Sequence, residues 1–471
     1  MAFPWMNKIY FPASISSSCR FQLACVIVTL IHLCLLSNLT FADVFESPMQ
    51  LRPSGSMKYR SRSKRILYVE DYGAKGDGLH DDTKAFRDTW NVACSLTKGA
   101  TIVIRGGSTH LVHRTNFIGP CRSRMTLRIY GIIIAPKSPD AWKGLNPRKW
   151  IYFMGVNHLA LDGGGTINGM GQEWWHRSCK LNKTNPCKHA PTAIMFHRCN
   201  NLKIKNLMVK NSQQMHVEFT DCAGVTASHL KVIAPAFSPN TDGIHISAST
   251  HVQVMDSIIR TGDDCISIVS NSSRIKITNI ACGPGHGISI GSLGKSHSWA
   301  QVHDVVVDGA YLSNTENGVR IKTWQGGHGF VSNIIFQNVF MENVSNPIII
   351  DQYYCDSVFP CTNQTSAVKV EGITFKRVEG TSATDEAVRF ACSDTYPCER
   401  ILLEDVVLVS SSPGGICTCF CWEAHGSSHG VIDPPPCFSS PQSIIHQKTQ
   451  KFRSVSQSIT GWSANAYKLI D

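Results

Sequence analysis

The sequence predicts an all-β chain wound as a right-handed parallel β-helix, a solenoid, with a short helix capping its N-terminal end. A short β-branched string recurs as Gly243-Ile-His-Ile, Cys265-Ile-Ser-Ile and Gly287-Ile-Ser-Ile, then at wider spacing as Gly318-Val-Arg-Ile and Pro347-Ile-Ile-Ile. The residues just before the first three strings, Asp242, Asp264 and His286, stand 22 positions apart twice over. A repeat of roughly 20–30 residues with one strand per turn marks a stacked array. From Ala100 onward, short strands divided by Gly, Asn, Ser and Asp follow one another without long helical stretches, which excludes alternating strand–helix folds.

Taken in order, the elements begin with an apolar run, Leu23 to Leu36, preceded by Lys8 and Arg20 and followed by Leu39-Thr-Phe-Ala42. This reads as a secretory signal over residues 1–42, because a run of about 14 residues is short for a membrane span of roughly 20. The rival is an uncleaved anchor with Arg60-Ser-Arg-Ser-Lys-Arg65 downstream. Residues 43–65 are polar, basic and Ser-rich and read as a flexible arm. The solenoid domain is expected from 66 to 440, with a tail from 441 to 471. Its first element is a Gly-rich turn, Asp71 to Gly78, feeding a helix over Thr83–Cys94 that Asp81 or Asp82 can cap. Such a helix covers the open first coil. A second strand family (Leu202, Val252, Ile275, Val302, Val331, Val368 and Ile401 at its starts) supplies another wall, and about eight to ten coils fit the length.

Composition narrows the class. Hydrophobic content of 42% and charged content of 17% fit a folded protein. Net charge is +11, or +9 without Lys8 and Arg20, which suits a polyanionic partner: acidic polysaccharide, nucleic acid or anionic membrane. Much of the excess lies in Arg52–Arg65, so charge alone decides little. Three of the 19 cysteines (Cys19, Cys25, Cys34) fall in the signal, and the other 16 form an even set suited to disulfides. Cys179/Cys187, Cys355/Cys361 and Cys392/Cys398 are plausible local pairs, and Cys265 and Cys282 bracket one coil. The Cys417-Thr-Cys-Phe-Cys421 cluster admits a metal reading, against which disulfides are favoured. Sequons at Asn182, Asn271, Asn343 and Asn363 agree with secretion.

The chemistry lies in the column. Equivalent positions of successive coils stack about 4.8 Å apart, so Asp242, Asp264 and His286 share one face. Strand alternation turns Ile244 and Ile246 inward and His245 outward, and in the same phase Ser267, Ser289 and Arg320, with Lys322 two residues on. Acids beside cations are what cleavage of an acidic sugar polymer requires. Crowded carboxylates repel, so at least one is expected to titrate high and supply an acid. Acid and base on neighbouring coils are expected to leave the roughly 6.5–9.5 Å gap of an inverting glycosidase. His216, His245 and His328 share no recurrent spacing that builds a metal site. Trp174-Trp175 fits a sugar platform and simple packing equally well.

Four strings, Asn240-Thr-Asp-Gly243, Gly262-Asp-Asp-Cys265, Gly285-His-Gly287 and Arg320-Ile-Lys322, resemble in order and spacing the signature set of polygalacturonases, glycoside hydrolase family 28. The likeness runs from near Val69 past Arg400, takes in Gly163-Gly-Gly-Thr-Ile-Asn-Gly-Met-Gly171, and in its flanking residues looks like plant members. The resemblance implies hydrolysis of α-1,4 bonds of pectin (homogalacturonan) with inversion. It implies that Asp263 is the general acid, that Asp242 and Asp264 hold and deprotonate water, and that His286 tunes their protonation. Arg320 and Lys322 would bind the substrate carboxylate, with Asn240 and Tyr354 as further contacts; Tyr353 stands where relatives often carry Asn. No cofactor or metal is implied. The expected setting is extracellular, in the cell wall, for a monomer without nucleic-acid partner or stable membrane association. The rivals are a calcium-dependent pectate lyase, a hydrolase of rhamnogalacturonan or xylogalacturonan, and a non-catalytic pectin-binding wall protein. The adjacent Asp263 and Asp264 disfavour the lyase and the binding protein, and Arg320 with Lys322 favours galacturonate.

Overall fold

Alternating β-branched residues separated by turn formers wind this chain into two long parallel sheets. The computed structural model describes residues 65–357 and 359–438; the expected signal, the arm up to residue 64 and the tail from 441 lie outside them. One sheet has eleven strands, from Thr115–Ile118 to Thr418–Trp422, and includes all five repeated strings. A seventeen-stranded sheet forms the other wall. Eleven strands exceed the eight to ten coils expected from the chain length. No helix among the described residues is long and apolar enough to cross a membrane.

Inward residues stack in columns. Phe153, Phe196 and Phe219 lie face to face, 5.2 and 5.7 Å between centroids. Ile246, Ile268, Ile290, Ile321, Ile350 and Phe390 continue the column in register. All nine are fully buried, each contributing about 1.5–3 kcal/mol of hydrophobic stabilisation. The N-terminal helix, Thr83–Ser95, buries Phe86, Trp90 and Ala93 at helical spacing, and Trp90 packs on Phe117 and Phe153. Asp82 holds the N-cap position without a capping side-chain bond, and Asp81 Oδ1, one residue earlier, accepts from the Thr83 backbone N–H at 2.9 Å. Asp82 instead accepts from the backbone N–H groups of Lys75 and Gly76 and pairs with buried His110 at 2.7 Å.

The long strands of the larger sheet bend at two left-handed corners. Asn201, Gly224, His251, Arg274, Asp304, Asn333, Gly372 and Arg400 form one column of positive φ, and Asn206, His229, Asp256, Asn279, Gly309, Asn338, Arg377 and Asp405 the other. In each coil the two corners are five positions apart, although the coils run from 23 residues (Asn201 to Gly224) to 39 (Asn333 to Gly372). Asn, Asp and Gly enter this region readily; the Arg and His members are held there by coils stacked on both sides.

The register of the second wall is a finding of the structure, and the expectation about the cysteines is corrected. The second strand family is not in one phase: Ile275 pairs with Val305, whereas Val302 pairs with Ser272 and Val331, and Val331 with Val370 rather than Val368. Coil length varies between these strands, so apolar alternation hides slips along them. The cysteines are also not all paired. Bridges join Cys94–Cys121, Cys179–Cys187, Cys265–Cys282, Cys355–Cys361 and Cys392–Cys398, and Cys437 stands within bonding range of both Cys419 and Cys421. Cys199, Cys222 and Cys417 are buried free thiols. Cys199 and Cys222 stack with Ser249 and Ser272 in a ladder of small polar side chains, in which Cys222, Ser249 and Ser272 each accept from the backbone N–H one coil before. Their sulfurs bond backbone carbonyls, Cys222 Sγ reaching Phe196 O at 3.4 Å. All four sequon asparagines are exposed.

Candidate active site

The turns entering the eleven-stranded sheet bring the polar column together. The strands Ile244–Ser247, Ile266–Ile268 and Ile288–Leu293 pair in register, so Asp242, Asp264 and His286 are stacked neighbours. Backbone bonds fix that stack, Gly243 N to Asp264 O at 2.9 Å and His286 N to Asp263 O at 2.8 Å. The Cys265–Cys282 bridge ties the Asp263-Asp264 turn to the strand that ends its coil. Behind Asp242, His216 is completely buried and gives both its backbone N–H and Nδ1 to the Asp242 carbonyl, at 2.8 and 3.0 Å. Burial holds this imidazole down at about 4, so it is neutral and fixes the Asp242 backbone.

Each acid has its own environment. Asp264 accepts from Ser289 Oγ at 2.8 Å, Arg320 Nη2 at 2.8 Å and Lys322 Nζ at 2.7 Å. Asp242 accepts from Ser267 Oγ at 2.7 Å, and that hydroxyl in turn meets His245 Nδ1 at 2.7 Å. Asp263 lies 3.1 Å from His286 Nδ1 and accepts from Asn240 Nδ2 at 3.3 Å. On its far side His286 Nε2 meets Glu316 Oε2 at 3.2 Å.

These surroundings drive two carboxyls apart. Burial pushes Asp242 up, and the charge of Asp263 adds to the rise. Burial also pushes at Asp263, but the His286 hydrogen bond and charge, with Lys322, outweigh it and hold that carboxyl at about 2. Burial lowers His286, yet Asp263, Glu316 and Asp264 together raise it above the ordinary imidazole range. Burial thus raises Asp242, whereas Asp263, the general acid the resemblance implies, is lowered in the free site. In the free site the proton near Asp263 rests on His286.

Every site residue expected from the sequence gathers here, with two differences. Arg320 and Lys322 project outward from the core, yet they are only 9% and 6% exposed; their charges are committed to Asp264 in a desolvated wall. Asn240 donates to Asp263, so it positions that acid. One oxygen each of Asp263 and Asp264, with a His286 nitrogen, lie within 4.8 Å of one another. These two acids share one turn, whereas the roughly 6.5–9.5 Å gap of an inverting pair is expected between acids on neighbouring coils, such as Asp263 and Asp242. Tyr354 ends the strand Asn346–Tyr354, packs edge-on against Trp324, and lies 5.5 Å from Lys322 Nζ at its ring centre. Trp175 is buried with its Nε1 on Ser212 O, and Trp174 packs on Trp142, so packing accounts for both.

Sequence reasoning gave no role to Ser267, Ser289, Glu316 or His216. The two serines were visible as outward members of the strand strings. Glu316 sits one residue before the column position held by Asn317, and only the turn's shape brings it to His286.

With this geometry in place, comparison with known proteins is direct. The profile described as Glycosyl hydrolases family 28 matches residues 94–426. A probable polygalacturonase of Arabidopsis thaliana is 58% identical over 87% of this chain and 92% of its own length. Polygalacturonase-2 of Solanum lycopersicum is 50% identical over 74% of this chain and 76% of its own. Among solved structures, a polygalacturonase of Erwinia carotovora subsp. carotovora superposes with TM-score 0.62 at 22% identity, covering 84% of this chain and all of that one. An exopolygalacturonase of Thermotoga maritima gives TM-score 0.65 at 19% identity over 79% of this chain and 92% of its own. The shared winding is the right-handed parallel β-helix, and the chain belongs to glycosyl hydrolases family 28.

Proposed function

We propose that this protein is an extracellular, cell-wall polygalacturonase, hydrolysing α-1,4-galacturonosidic bonds of de-esterified pectin with inversion. The observation that carries this reading is the pair Arg320 and Lys322, held by Asp264 at 2.8 and 2.7 Å beside Asp263. Two fixed cations at a cluster of acids suit a substrate that is itself a carboxylate. Lys322 has further ammonium donors and Arg320 further guanidinium donors for a galacturonate carboxylate, which positions the sugar.

In this reading the proton resting on His286 is delivered through Asp263. A bound galacturonate adds negative charge and excludes water, and both raise Asp263, so the carboxyl takes the proton and passes it to the glycosidic oxygen. Asp242, raised by burial, removes a proton from the attacking water. Asp264, fastened by three donors, orients that water and the two cations. Atoms balance: the C–O bond breaks, water supplies the new anomeric oxygen, and the proton lost to Asp242 replaces the one spent.

The test is initial-rate kinetics on polygalacturonate and on fully methylated pectin, with wild type and Arg320→Gln. Reducing ends should appear from polygalacturonate, and the variant should lose both affinity and turnover. Equal cleavage of both polymers with the variant unchanged defeats the acidic-substrate reading. Proton NMR of the first-formed anomer checks inversion.

A further inference from the structure

Two loops closed by disulfides meet far from where they leave the sheet. Lys180 lies in the loop bridged by Cys179–Cys187, Asp356 in the loop bridged by Cys355–Cys361, and their side chains form an ion pair across 176 positions of sequence. The first loop enters the strand Thr192–His197, on the edge where the acid turns also enter. The second leaves the strand Asn346–Tyr354 from the opposite edge. These strands are six places apart in the sheet, about 29 Å at roughly 4.8 Å per strand. A contact joining opposite edges at that distance crosses the face between them, and that face carries the acids.

The anchor points agree. Trp175, five residues before Lys180, packs edge-on against Phe237, in the turn leading to Asn240 and Asp242, at 6.4 Å. Asp356 is two residues past Tyr354, whose ring lies over Lys322. The segment from Trp175 to Lys180 therefore starts beside the turn that leads to the acids and meets, through Lys180, the loop that follows Tyr354. Cys179–Cys187 and a bond from Asn185 Nδ2 to His176 O at 3.2 Å stiffen it. The joining pair is half-exposed, 45% on each side, and such pairs hold weakly and yield to salt.

We propose that Lys180 and Asp356 form a latch over the active site. The two loops make a strap that opens to admit an internal stretch of polyuronate and recloses to retain it through successive cleavages. Pairing with Lys180 also neutralises Asp356, which would otherwise repel a polyanion. The proposal rests on the polygalacturonase reading and adds to it the manner of attack, cleavage inside the chain with repeated cuts per encounter.

The experiment compares wild type with Lys180→Gln, Asp356→Asn and the charge-exchanged Lys180→Asp/Asp356→Lys protein on polygalacturonate. The readout is bonds cut, counted as reducing ends, per halving of viscosity. Each single variant should make about two- to fivefold fewer cuts per halving, the range an exposed pair can supply, and the exchanged protein should recover. Unchanged ratios in the single variants, or an exchanged protein that behaves like them, overturn the latch. A zero-length carbodiimide should also couple Lys180 to Asp356 in the wild-type protein without substrate, read by peptide mass spectrometry, and failure to couple overturns the strap itself. A wild type that couples but releases no reducing ends defeats the polygalacturonase reading instead.

Discussion

The two walls of this solenoid obey the same alternation and end in opposite environments. On the larger sheet, outward Lys203, Lys205 and Lys276 are exposed, and pairs such as Lys376–Glu404 at 2.7 Å stay about a third exposed. On the eleven-stranded sheet, outward Ser267, Ser289, Arg320 and Lys322 are nearly or fully buried and bonded to acids. Alternation decides which side of a sheet a residue takes; the turns and loops beyond it decide whether that side meets water. The Lys376–Glu404 charges on the first wall are solvated, and the charges of the acid cluster on the second belong to a desolvated network. The difference is energetic as well as chemical. An exposed pair contributes about 0–1 kcal/mol, whereas removing one member of a buried network costs about 3–5 kcal/mol.

The sharpest way to break the comparison is Asp263→Asn, which keeps size and shape but cannot carry the proton. Turnover on polygalacturonate should fall by about 10²–10⁴, with the circular dichroism and melting temperature near wild type. A variant retaining about half the activity would remove Asp263 from its role. Next in size is Asp264→Ala, which strands two buried cations; chemical denaturation should show a loss of about 3–5 kcal/mol. A loss below about 1 kcal/mol would mean that water reaches these groups as it reaches the other wall.

The third prediction concerns pH. His286 is raised in the folded protein, so its contribution to stability is fully present below about pH 6.5 and disappears as pH rises through its raised value. Asp263, held at about 2, contributes stability above about pH 3.9 and loses it as pH falls toward 2. His286→Gln removes both, so its melting-temperature deficit should be greatest from about pH 4 to 6.5 and shrink in alkali. A deficit independent of pH would show that the ring acts by packing alone. The smallest effect belongs to the first wall: Lys376→Ala should cost no more than about 1 kcal/mol and leave activity unchanged, checked by urea unfolding and initial rates.

Much of this was legible in the sequence for one reason. Parallel strands in register convert equal spacing into vertical stacking, so Asp242, Asp264 and His286, 22 residues apart, had to meet. The repeated Ile-x-Ile strings fixed that register where coils are of equal length. Where coil length changes, at Val302, Val331 and Val368, the strand starts are not equivalent positions and their spacing does not reveal the pairing. What stayed hidden depends on shape beyond the strand. Glu316 reaches His286 from one residue out of phase, Arg320 and Lys322 are buried by their own pairing with Asp264, and Lys180 finds Asp356 from a distant coil. The even cysteine number misled because Cys199 and Cys222 serve as members of a serine-like ladder.

The fixed interval between the two left-handed corners has a consequence for how this chain tolerates change. Eight corner pairs keep five positions between them, while the seven coils that separate successive pairs vary from 23 to 39 residues. Every residue gained or lost has therefore been absorbed elsewhere in the circuit. The longest excursions, before Thr192 and after Tyr354, flank the eleven-stranded sheet. The molecule thus has a rigid metric along one side and an open register for insertions at the other, and the open side is the one that handles substrate. Grafting or trimming loops to alter pectin preference should succeed there, while a single residue inserted between paired corners such as Asn279 and Arg274 would throw every neighbouring coil out of step.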